Sequence, residues 1–182
     1  MSETPSPAVV SLHRSASHSF SKEETESATF IAGLGLEGDV HSGAMDQHLS
    51  RQKDPRPNLR QVHLLPIELY EQLNADGYAL SPGGLGENLV TRGISLNDLP
   101  AGTTLTLGND VVIALTGLRD PCAQIDKACP GARAAVAFTS ESGKVLFKHG
   151  AMAVVVRGGV VRAGDAIGIS YPAGPAHRLE KV

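Results

Sequence analysis

The chain has 182 residues, 41% of them hydrophobic, with 4% aromatics, no tryptophan and a formal net charge of −3. That length suits one domain with a real core. Few aromatic rings and no basic run exclude stacking platforms for single strands and a groove for a phosphate backbone, so no nucleic-acid polymer is expected as a partner.

Cys122 and Cys129 are the two cysteines; they make no disulfide framework, and their spacing is not that of a zinc pair. The first ten residues, MSETPSPAVV, have neither a basic nor an apolar targeting region, and no apolar run reaches membrane-spanning length. A cytoplasmic protein without a membrane partner is the expectation.

Twenty glycines and eleven prolines are spread along the chain, as in a fold of many short strands and tight turns. Residues 1–7 read as a flexible tail, followed by a strand over Ala8 to Leu12. His13 to Thr29 is polar and rich in Ser and Glu, and reads as a surface loop with one helical turn. Phe30 to Leu36 predicts a strand, ended by Gly35 and Gly38. Between Asp39 and Arg60 periodicity is lost, and such a loop inside a domain is either functional or disordered. Gln61 to Leu65 predicts a strand. Pro66 then opens a helix with Ile67, Leu69, Tyr70 and Leu73 as apolar contacts and Gly77 as its stop.

Strand signals dominate after Gly83: Glu87 to Val90, Thr103 to Leu107, and Val111 to Leu118, the last two joined by a hairpin turn at Asn109-Asp110. Pro130 to Phe138 carries an Ala-rich helical pattern. Lys144 to Ser170 suggests three strands, with turns at Gly158-Gly159 and Ala163-Gly164-Asp165. Pro172 to Val182 reads as a flexible tail, leaving 8–171 as a single domain. Its expected class is mainly β and barrel-like, with a few short peripheral helices.

Three stretches carry chemistry. In VVIALTGLRDPCAQIDK a buried strand breaks at Pro121 and delivers Cys122 just beyond the ladder. Arg119 and Lys127 nearby would favour its thiolate, as a reactive group or soft-metal ligand, whereas a buried structural cysteine needs neither. In GLGLEGDVHSG, Asp39 and His41 are two residues apart. An extended backbone puts them on one face, where the carboxylate fixes the imidazole tautomer; a β-turn leaves Asp39 on backbone amides and His41 in solvent. In PGGLGENLVTRGISL, Gly83, Gly84 and Gly86 permit close backbone approach beside Glu87 and Asn88, either around a ligand or merely entering a strand through an Asx-turn.

The collinear order GLEGDVH, RQVHLLPIELYEQL, GGLGENLVTRGISL, TGLRDPCAQID and VVRAGDAI resembles the MOSC domain family, over roughly Ala8 to Ser170. It is most similar to the small stand-alone members, including those like the 6-N-hydroxylaminopurine resistance proteins. The resemblance implies a β-rich, barrel-like fold and a pocket for molybdenum cofactor, with Cys122 as both the metal's thiolate ligand and the catalytic residue. It implies Asp39, His41, Glu87, Asn88 and Arg119 around that pocket.

The implied reaction is reduction of a small N-hydroxylated base or amine. No flavin, haem or iron–sulfur signature occurs and pyridoxal phosphate is not expected, so electrons would come from a separate reductase. A molybdenum cofactor or sulfur carrier without turnover is the alternative. A cofactor-free cysteine hydrolase with His41 or His63 as base has no supporting signature, and a zinc site from His41, His48 and Cys122 matches no standard spacing. His48, Arg51 and Arg60 are weaker candidates. His63 reads as a satisfied or edge-facing strand histidine, and Cys129 as incidental.

Overall fold

The computed structural model describes residues 5–48, 54–120, 124–139, 143 and 145–182. In chain order its elements are β1 (Ala8–Arg14), β2 (Glu23–Thr25), β3 (Ser27–Ile31), β4 (Gly35–Leu36), β5 (Val62–Pro66), α1 (Ile67–Ala75), β6 (Leu89–Arg92), β7 (Thr104–Leu107), β8 (Val111–Leu118), α2 (Gln124–Ala128), α3 (Ala132–Ala135), β9 (Ala137–Thr139), β10 (Val145–Phe147), β11 (Ala151–Arg157), β12 (Gly159–Arg162) and β13 (Ile167–Ser170). A single 3-10 turn covers Leu96–Asp98.

Eight strands join in the order β13-β7-β8-β11-β5-β6-β1-β2, and β12-β3-β4 and β10-β9 form two smaller ladders. All pairings are antiparallel except β5 with β6, which α1 connects as a parallel crossover. Strand alternation sorts the core. Val111, Ile113 and Leu115 of β8 are buried while Val112, Ala114 and Thr116 are half-buried. Leu12, Leu64, Leu89, Leu118 and Ala151 belong to the larger apolar cluster on one face. Leu65 and Val90 turn the other way, against Leu69, Tyr70 and Leu73 of α1, Ile125 and Ala132.

Pro66 precedes α1 in an extended conformation, and Gly77, at φ 94°, follows its end.

The continuous ladder of a barrel is not formed among the described residues. An isolated bridge between Ala8 and Ala166 laces the β13 end of the sheet to β1, with Val9 N–H donating to Asp165 O, Gly164 N–H to Val9 O and Ile167 N–H to Pro7 O. The stretch His13 to Thr29 is not the expected loop, because β2 and β3 occupy much of it. The Ala-rich pattern after Pro130 yields only the four residues of α3 before β9 begins. Gly158-Gly159 is not a hairpin turn either, since β12 leaves β11 and pairs with β3.

Residues 177–182, read from sequence as part of a loose tail, run beside the end of β8. Leu118 N–H donates to Glu180 O, Lys181 pairs with Asp120, and Leu179 is buried. β7 has already diverged there, so this strap takes its place next to β8.

One glycine is indispensable to the packing of β5 on β11. Gly150 has φ 78°, and a Cβ added there would lie 1.9 Å from Leu64 O. Gly150→Ala therefore costs about 2–4 kcal/mol through left-handed strain and backbone collision. A urea midpoint within error of wild type would show that β5 and β11 can part here without cost.

Candidate functional site

Register across the sheet assembles a polar row. Gly117 of β8 lies opposite Met152 of β11, and Met152 opposite His63 of β5. Asn88, just before β6, donates its N–H to His63 O, and His13 of β1 donates its N–H to Asn88 O. Arg119 follows the end of β8, two residues beyond Gly117. His63 and Asn88 share the helix-covered face with Leu65 and Val90, whereas Gly117 faces Glu180 and Val182 of the C-terminal strap.

Asn88 is the pivot of the row. Its Oδ1 accepts from His63 N–H at 3.1 Å, and its Nδ2 donates to His13 O at 3.2 Å and to Asp39 Oδ2 at 3.0 Å. The side chain of Asp39 is fully buried. Its Oδ2 also accepts from Lys22 Nζ at 2.8 Å and Ser15 N–H at 3.2 Å. Its Oδ1 accepts from His41 N–H at 3.0 Å and faces His41 Nδ1 at 3.3 Å. Burial alone would raise the Asp39 pKa; the hydrogen bonds from His41 and the Lys22 ammonium outweigh it and hold the carboxyl well below the usual range. Nδ1 of His41 therefore serves as donor, and Nε2 is left for other partners. The backbone here is the turn and not the extended alternative, yet Asp39 takes both backbone amides and the imidazole of His41.

Glu87 is equally enclosed. Its Oε1 accepts from Tyr70 O–H and Gly83 N–H, both at 2.6 Å, while Oε2 is buried without a partner. Gly83 has to be glycine: its φ is 83°, and an added Cβ would meet Lys22 O at 2.5 Å and His13 Nδ1 at 2.6 Å. The buried carboxylates thus organise the turn at 83–88 and the loop at 39–41.

The loop between Asp39 and Arg60 is ordered where it is described. Asn58 Nδ2 donates to His41 O and Gly43 O, at 2.9 and 2.8 Å, and Asp46 N–H donates to Arg56 O. His41 meets His18 edge-on, with ring centroids 5.6 Å apart. The charge of Arg60 acts on both His48 and His63, so this loop borders the polar row.

His63 is interior, not edge-facing. Its Nε2 donates to His149 O at 2.9 Å, and the two rings lie 5.3 Å apart. Burial pushes His63 down to about 4 and His149 to about 3, so both are neutral at pH 7. Arg119 N–H donates to Gly150 O at 3.1 Å, next to His149. Among the described residues, neither Arg119 Nε nor His149 Nδ1, both buried, has a partner.

Cys122 and Arg51 lie outside the described residues. Among the described residues no cluster of His, Cys, Asp and Glu could hold a metal ion, and no helix is long and apolar enough to cross a membrane. Cys129 is half-buried against the α1–α3 cluster. Sequence reasoning missed Lys22, Tyr70 as the partner of Glu87, and His149. Only the last left a signal: a histidine opening the apolar run GAMAVVV.

The profile of the MOSC domain matches residues 38–168, well over half of the chain. The chain belongs to the MOSC domain family. All six residues singled out from the MOSC resemblance, Asp39, His41, Glu87, Asn88, Arg119 and Cys122, fall inside the matched range, whereas Lys22 and His13 precede it. Among solved structures, YuaD from Bacillus subtilis is 22% identical, with 91% of this chain and 97% of that chain covered at a TM-score of 0.73. YiiM from Geobacillus stearothermophilus is 15% identical, covering 94% and 79% at 0.65. YiiM from Escherichia coli is 19% identical, covering 95% and 74% at 0.63. At these identities the likeness is one of MOSC fold. No curated protein matches the chain in sequence.

Proposed function

We propose that this MOSC protein binds molybdenum cofactor and reduces small N-hydroxylated bases or amines in the cytoplasm, drawing electrons from a separate reductase. The observation that carries the reading is the buried, partnerless Arg119 Nε within TGLRDPC, the motif that ends in Cys122. A buried guanidinium nitrogen without an acceptor suits an acceptor-rich ligand, as a pterin with its phosphate is.

The cofactor, when bound, supplies the two-electron couple that converts an N-hydroxyl group to an amine and water. Cys122 would hold the metal through its thiolate, a soft ligand for that centre, and would be the catalytic residue. Arg119 would bind the pterin part. Asp39, Asn88 and Glu87 act from beneath: apart from Glu87 Oε2, their oxygens and amide are spent on Lys22, His41, His63, Tyr70 and Gly83, so they position the loops around the pocket. His41, with Nδ1 fixed by Asp39 and its side chain 29% exposed, can bind or pass a proton at Nε2.

Protein made in a cofactor-producing host should carry near-stoichiometric molybdenum and oxidisable pterin, and Cys122→Ala should lose most of the metal. Cofactor retained by Cys122→Ala would remove the thiolate role, and wild-type protein without molybdenum or pterin would overturn the reading. Metal-loaded protein that reduces no N-hydroxylated compound with any donor would make it a carrier.

A further inference from the structure

We infer that His149 is a binding residue for the pterin of the proposed cofactor, its Nδ1 hydrogen-bonding a neutral edge of the ring system beside the acceptor taken by Arg119. This rests on the cofactor reading above. His149 is 2% exposed, yet among the described residues its Nδ1 has no hydrogen-bond partner. A buried polar atom left unpaired is costly, and native interiors rarely tolerate one without a role.

A second such nitrogen belongs to Arg119, just past the end of β8. Arg119 N–H donates to the carbonyl of Gly150, the residue that follows His149, and among the described residues neither Arg119 Nε nor His149 Nδ1, both buried, has a partner. The ring of His149 is not needed for the fold in the way its backbone is, because His63 takes the carbonyl oxygen of His149 and not its imidazole. His63 in turn is tied through its own N–H to Asn88. The ring therefore sits on a rigid support with one hydrogen-bonding atom free.

Charge decides what it can recognise. Burial keeps this imidazole neutral at pH 7, so it does not attract an anion. A neutral imidazole nitrogen pairs with an amide-like group, and Arg119, always charged, is left to take the acceptor. A pterin presents such amide and amine groups along one edge.

The test compares His149→Leu and His149→Gln with wild type, each made in a cofactor-producing host. Pterin loss from the purified holoprotein is followed by fluorescence after oxidation, and thermal stability is measured on the cofactor-free forms. Leu removes the hydrogen bond and should speed pterin loss about tenfold. Gln, which keeps an amide in reach, should stay within about threefold of wild type. Neither cofactor-free variant should melt below wild type, and Leu should melt higher because no polar atom is left unpaired.

Pterin loss unchanged in His149→Leu overturns the inference and leaves the cofactor reading standing. Faster loss that accompanies a lower melting temperature in both variants also overturns it, since His149 would then be structural. Wild-type protein that carries no pterin overturns both.

Discussion

Asp39→Ala should lower the stability of the cofactor-free protein by about 3–5 kcal/mol, read from urea denaturation, a large share of the total of a domain this size. The substitution strands the Lys22 ammonium, whose side chain is 2% exposed, without its counter-charge. It also removes the acceptor from the backbone N–H groups of Ser15 and His41 and from Asn88 Nδ2. The ion pair itself need not be net stabilising, because taking both charges out of water offsets most of their attraction. For that reason Asp39→Ala combined with Lys22→Met should recover a substantial part of the loss. A single-variant cost below about 1 kcal/mol would show that the pair contributes little, and no recovery in the double variant would place the energy in the backbone hydrogen bonds.

Acid should destabilise the protein well before its carboxylates titrate. His63 and His149 have folded values of about 4 and 3, below the ordinary 6.5. The unfolded chain therefore binds their protons first as pH falls. The stability from burying the neutral rings is complete above about pH 6.5 and is lost progressively below it, by about 3 kcal/mol for each ring at pH 4. His13 and His48 are lowered too, by burial first, and act in the same direction. Asp39 is also lowered, but its contribution is lost only as pH falls through the ordinary carboxylate range and below it. Melting temperature should thus fall steadily from pH 6.5 to pH 4, and the slope should flatten in His149→Leu. A flat profile over that interval would mean that water or a local opening solvates the two imidazoles.

How much of this was legible in the sequence depended on whether the signal was local. α1 announces itself through Pro66, the spacing of Leu69, Tyr70 and Leu73, and Gly77. β8 does so through its β-branched run, and the β7–β8 turn through Asn109-Asp110. β2 was missed because Glu23 and Glu24 lie exposed on an edge strand, where no apolar alternation is required, and the strand expected from Phe30 caught only the end of β3. α2 spans only five residues, too few for a period to appear. At the site, Asp39 with His41 and Glu87 with Asn88 could be picked out because each pair is close in sequence. Lys22 could not: its partner is 17 residues away, and SFSKEETES reads as solvated. Nor could Tyr70 be tied to Glu87, since α1 sets that distance only after the β5–β6 crossover has formed.

The position of β11 between β5 and β8 has a kinetic consequence. β5 and β6 are joined by a short helical crossover, and β7 and β8 by a tight turn, so each pair can form early from near neighbours. β11 arrives from a distant part of the chain and inserts between them, bringing Met152, His149 and Gly150 with it. Until it docks, β5 and β8 each present an open edge, and the two halves of the polar row belong to separate pieces. The row is therefore completed in one step, at the end of folding. A chain halted short of that step is an aggregation hazard, not a weak version of the finished protein.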